Sequence, residues 1–154
     1  MFCFSSARKS THDVSSWSAI LMKQHTQLQQ EITIIEDFLS LPSFSPLLLD
    51  AKVKRLIKGV KLHLDLESTF LNPALEQTTI SAHNKQKLGD GYLALQNLCD
   101  QTLSLVKSLT LFPNNRQLHT EHLPQVKRLL KTIQARLEEE DSTFSQLHSV
   151  CDHV

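Results

Sequence analysis

Three short interruptions cut this chain into four stretches of helical periodicity, and that division constrains the fold more than any other feature. Only three glycines and five prolines occur among 154 residues. All five prolines fall in LPSFSP (Leu41 to Pro46), NPALEQTTIS (Asn72 to Ser81) and LFPNNRQLHTEHLP (Leu111 to Pro124), segments whose composition breaks helices. Between the breaks, apolar residues step by three and four, the spacing that lines one face of a helix. The first stripe is Trp17, Leu21, His25, Leu28, Ile32, Ile35 and Leu39, and the second is Val53, Ile57, Val60, His63, Glu67 and Phe70. The third is Leu88, Tyr92, Leu95, Cys99 or Leu98, Leu103 and Val106; the fourth is Val126, Leu130, Ile133, Leu137, Glu140 or Asp141, and Phe144. No stretch alternates as a strand would. Short connections favour antiparallel neighbours, so the expectation is an all-α, up-down-up-down four-helix bundle over residues 14–154, preceded by a flexible arm over 1–13. Pro124 suits the first turn of the last helix, whose start could also lie near Asn115.

Composition removes several function classes. Sixteen basic residues balance sixteen acidic ones, and no basic block resembles a nucleic-acid-binding tract, so neither nucleic acid nor an anionic membrane is an expected partner. No run approaches the roughly 18 apolar residues of a membrane span. Cys3, Cys99 and Cys151 are odd in number and widely spaced, which reads as reduced thiols and a cytoplasmic location. Oligomeric state is not encoded in any legible pattern.

The stripes carry polar intruders at related heights. In HLDLESTFLNP (His63 to Pro73), His63 and Glu67 stand one turn apart in an otherwise apolar pattern. His25 lies sixteen residues before Leu41, and His63 sixteen after Leu47. With a constant rise per residue, antiparallel helices sharing the LPSFSP turn therefore set the two imidazoles at one level. The matching layer of the fourth helix contains Arg136 to Asp141. One interior layer thus gathers His25, His63, Glu67 and Asp141, or its neighbour Glu140. Buried charge costs several kcal/mol unless it is paired, and a metal ion would be one partner.

These residues resemble the hemerythrin-like (HHE) cation-binding family. LMKQHTQLQQEITIIEDFL (Leu21 to Leu39) is similar to its first helix, and RLIKGVKLHLDLESTFLNPAL (Arg55 to Leu75) carries its His-x3-Glu followed by an apolar-x-Pro-Ala-Leu exit. The resemblance extends over residues 15–148. It implies a bundle holding two irons between histidines and bridging carboxylates, and oxygen as a ligand of those irons. Its ligands here would be His25, His63, Glu67 and Asp141, with His83 and Glu140 as weaker alternatives. Imidazole suits iron, and carboxylates can bridge two cations.

Two departures bear on whether iron, or no cofactor at all, is bound. Where the family's third helix brings a His, this chain reads KLGDGYLAL, with Gly91 and Tyr92 at the inward place. Where the fourth helix should bring a His, ARLEEED (Ala135 to Asp141) offers Arg136 and Leu137. A guanidinium cannot shed its proton to bind a metal, but it can replace one. The expectation is that Arg136 reaches Glu67 and Asp141 and neutralises them by hydrogen bonds.

ARLEEED and the Trp17-led first helix also resemble the Rsd/AlgQ family, four-helix bundles that bind the housekeeping sigma factor of bacterial RNA polymerase. That resemblance implies a metal-free regulator with a protein partner, docking on an exposed apolar patch for which Phe4, Trp17 and Leu47 to Leu49 are candidates. His119 and His122 lie about 28 Å or more along the helix from Asp141, too far to share its site, and read as surface or loop residues, as do His148 and His153. No phosphate loop, GxSxG or Cys–His arrangement suggests catalysis, so a non-enzymatic protein is expected.

Overall fold

The structure is a computed structural model, and it describes residues 14–71 and 82–152. The arm expected over residues 1–13 lies outside the described residues. Among the described residues four helices form: α1 (Val14–Leu39), α2 (Pro46–Leu66), α3 (Ala82–Leu111) and α4 (Arg116–Asp152). Among the described residues there is no strand. Contacts run α1 to α2, α2 to α3, α3 to α4 and α4 back to α1, the ring of an antiparallel four-helix bundle.

Local chemistry sets the helix ends. Ser45 caps α2, accepting the Leu48 N–H with its hydroxyl, and Pro46 occupies the first turn, where its missing N–H costs nothing. Asn115 plays the same part for α4, its Oδ1 accepting the Leu118 N–H at 3.2 Å. Helix α4 therefore starts at Arg116, and Pro124 is an exposed residue within it rather than its first turn. A proline there removes one N–H from the helical ladder, which solvent exposure makes tolerable. At its far end α2 passes into a π-helical turn, Glu67–Leu71.

The apolar half of the bundle is continuous. Leu28, Ile32 and Ile35 of α1 pack with Leu49, Val53, Leu56, Ile57, Val60 and Leu64 of α2. Leu95, Leu98 and Cys99 of α3 and Val126, Leu129, Leu130, Ile133 and Leu137 of α4 complete the cluster. Each fully buried Leu or Ile contributes about 1.5–3 kcal/mol relative to an exposed one. Leu49 belongs to this core, whereas Leu47 and Leu48 are exposed and Trp17 is half-buried. Burial pushes the Cys99 thiol up to about 11, the mark of a packing residue rather than a nucleophile. No helix among the described residues is long and apolar enough to cross a membrane.

Candidate metal centre

Above the apolar layers, six polar side chains close on one another. His25 and His63 meet across α1 and α2 with ring centroids 4.8 Å apart and planes at 62°. Their Nε2 atoms are 3.2 Å apart and both face Glu140 Oε1, at 2.7 Å from His25 and 2.8 Å from His63. His25, His63 and Glu140 are 5%, 2% and 0% exposed. Their three ligand atoms lie within 4.8 Å of one another, forming a group able to hold a metal ion.

The outer nitrogens of the same rings are anchored. His25 Nδ1 lies 2.6 Å from Asp141 Oδ1, and His63 Nδ1 lies 2.8 Å from Gln24 Oε1. A ring that donates Nδ1–H outward keeps Nε2 for the centre, the arrangement by which metal-binding histidines are oriented. Gln24 has no counterpart in the sequence reading. It sits one residue before His25 on α1, and only the rotation of the two helices reveals that it reaches the ring of α2.

The fourth helix supplies its inward carboxylate from Glu140 rather than Asp141. Residues 133, 136, 137, 140 and 143 form the buried face of α4, and Asp141 is turned about 100° from Glu140, the angle between consecutive helical residues. Asp141 lands at the rim with its side chain 49% exposed, bonded to His25 from outside. Arg136 accordingly bridges Glu67 and Glu140, not Glu67 and Asp141. Its Nη2 donates to Glu67 Oε2 at 2.8 Å, and its Nε donates to Glu140 Oε2 at 2.5 Å. His83 is exposed in the first turn of α3, outside the cluster.

Gly91 makes the guanidinium's position available. A Cβ there would fall 2.7 Å from Arg136 Nη1, too close for any side chain to coexist with the arginine as placed. The vacancy in the third-helix pattern and the arginine of the fourth helix are thus two sides of one arrangement.

Electrostatics divide the two buried carboxylates. Burial alone would raise Glu140, but bonds from Glu67, His25 and His63 outweigh it and hold Glu140 well below the usual carboxylate range. Glu67 goes the other way: burial and the neighbouring Glu140 push it up to about 7, against His63 and Arg136. Glu140 is therefore the ionised member, and Glu67 takes the proton when one is shared. Burial opposes charge on His63 as well, yet Glu140 and Glu67 lift its imidazole to about 9. For Arg136, the two carboxylates likewise outweigh burial and raise its pKa further.

One oxygen of the cluster is held by charge alone. Glu67 Oε1 forms an ion pair with His63 Nε2 at 2.9 Å without hydrogen-bond alignment. The donor set, two imidazoles and a carboxylate, suits iron, zinc and related divalent ions. The triangle's edges of 2.7, 2.8 and 3.2 Å bracket the roughly 2.9–3.0 Å between adjacent ligands of an octahedral shell with bonds near 2.1 Å. These residues fit one cation on this face.

At the opposite end of the bundle a third histidine is buried. His122, 7% exposed, sits on α4 with Nε2 at 3.0 Å from Asp50 Oδ1 of α2, off hydrogen-bond alignment. The surface position expected for His122 is thus corrected: its turn of α4 packs against the start of α2. His119, one turn earlier, is exposed and donates from Nε2 to the Pro113 carbonyl. The side chains of His148 and His153 lie outside the described residues. No family model, curated protein or solved structure matches this chain.

Proposed function

We propose that this chain is a non-enzymatic, hemerythrin-like metal-binding bundle of sensing or regulatory use. In this reading His25, His63 and Glu140 hold one divalent first-row transition cation, iron(II) first among them, and Arg136 takes the place of a second cation between Glu67 and Glu140. The observation that carries the reading is the convergence of two imidazole Nε2 atoms on Glu140 Oε1 while both Nδ1 atoms are anchored outside. The burial of all three ligand residues supports it.

A bound cation supplies the positive charge that the convergent atoms otherwise draw from ring protons, so uptake releases protons and weakens at low pH. The chain's own part is to fix both rings, keep bulk water from three buried ligands, and tie the second oxygen of Glu140 to Arg136. With three protein ligands and a fixed guanidinium beside one of them, affinity should be modest. The test is metal content by mass spectrometry after expression in iron-supplemented medium, beside His63→Ala. About one iron per chain, lost in the variant, is expected; no metal in either protein would sink the reading.

The same arginine bridge favours a second reading. Arg136 with Glu67 and Glu140 can close its charges without any metal, which suits a protein-binding regulator of the Rsd/AlgQ type. Leu47, Leu48, Leu111 and Phe112, all exposed near the two turns at one end of the bundle, are its candidate docking residues.

A further inference from the structure

Resting on the metal-binding reading, the structure also points to a route into the site. His63 and Glu67 are each 2% exposed and Glu140 is fully buried, so a cation must pass a side chain that bridges solvent and cluster. A groove of about 720 Å³ on the outer surface between α1 and α4 is lined by His25 and Asp141. Three other grooves among the described residues are lined by no member of the cluster. Apart from those two residues the groove wall is uncharged, with Thr26, Gln29 and Thr33 offering neutral oxygens beside Met22. Asp141 is half-exposed, and its Oδ1 touches the ring that presents Nε2 to the centre. A chain with no net charge has no overall attraction for a cation, and a carboxylate at the mouth is a local means of guiding one.

We infer that divalent cations load through the α1–α4 groove and that Asp141 is a positioning residue which captures the ion at its mouth, beyond its part in orienting His25. The two roles separate in Asp141→Asn, because the asparagine oxygen can still accept the His25 Nδ1–H while the charge is gone. Glu138→Gln removes an exposed charge from the same helix outside the groove and serves as the control.

The experiment is stopped-flow binding of Co2+ to chelator-stripped full-length protein, read by its visible absorption at several salt concentrations. The expected result is association about tenfold slower in Asp141→Asn, with a flatter salt dependence, and unchanged in Glu138→Gln. Unchanged association with faster dissociation would overturn the inference and leave Asp141 only as the orienter of His25. Equal slowing in both variants would also overturn it, pointing to the general field of the helix. A wild-type protein that takes up no Co2+ would instead remove the metal reading and this inference with it.

Discussion

The two halves of this bundle are held together by opposite means. From the α1–α2 turn up to the polar layer, seventeen buried apolar residues pack as one cluster, and stability there scales with area removed from water. In the layer of His25, His63, Glu67, Arg136 and Glu140, five polar side chains are at most 5% exposed, and nothing is gained unless their charges close. The apolar half tolerates exchange of one aliphatic residue for another of like volume. In the polar half, removing a single partner should cost stability, because it strands a buried charge. Rigidity of the first half thus holds the second in register, and the second is where the chain can bind something.

The sharpest way to break this comparison is Arg136→Leu. It leaves Glu67 and Glu140 without their shared cation, and unfolding in urea should show a loss of about 3–5 kcal/mol. Replacing Glu67 and Glu140 by Gln in the same chain should restore much of that loss, since the uncompensated charge is gone. An unchanged midpoint in the single variant would show that the bridge is not what holds this layer.

In the apolar half, Ile133→Ala removes a residue 1% exposed and should cost about 2–4 kcal/mol by the same measurement. Ile133 lies two turns below Glu140 on α4, so Co2+ affinity should be nearly unaffected. Stability and binding would then respond to different halves. A proportional loss of both would merge them.

Acidity sharpens the contrast in chelator-stripped protein. His63 is lifted from the ordinary 6.5 to about 9, so its contribution is fully present below pH 6.5 and is lost as pH rises through 9. Glu67 is raised to about 7; its preference for the protonated form likewise favours folding at low pH and is lost as pH rises through 7. Both act in one direction, so the stripped protein should melt lower at pH 9.5 than at pH 6.5. Glu140, held low, works in the opposite sense and limits stability only as pH falls below the ordinary carboxylate range. His63→Gln should flatten the alkaline limb, and a melting temperature flat from pH 6.5 to 9.5 in the wild type would contradict this charge assignment.

The smallest effect belongs to the surface. Leu47→Ser, at a residue 77% exposed, should shift stability by no more than about 0.5 kcal/mol and leave the midpoint of every other experiment in place. A large loss would reveal that this end is covered in solution.

The four stripes made the helices legible because burial imposes a period that propensity alone does not, and equal heights around the LPSFSP turn brought His25 and His63 together. Between Glu140 and Asp141 the sequence left a choice, since one residue of uncertainty in helix phase is a rotation of about 100° and exchanges centre for rim. The π-helical turn at Glu67, the reach of Gln24 to His63 and the burial of His122 depend on how helices are rotated and ended, which no stripe records. Gly91 was visible only as a missing ligand. That it pairs with Arg136 becomes evident when a Cβ is weighed against the guanidinium beside it.

The most direct test of the central claim, that Arg136 fills one cation position and His25, His63 and Glu140 form another, is the number of Co2+ ions bound per chain. It is read by titrating stripped protein at concentrations well above the dissociation constant. One ion per chain, abolished by Glu140→Gln, is the result the claim requires. Two ions would mean that Arg136 yields its place, and none would mean that the layer is closed by its own charges and that binding lies elsewhere on the bundle.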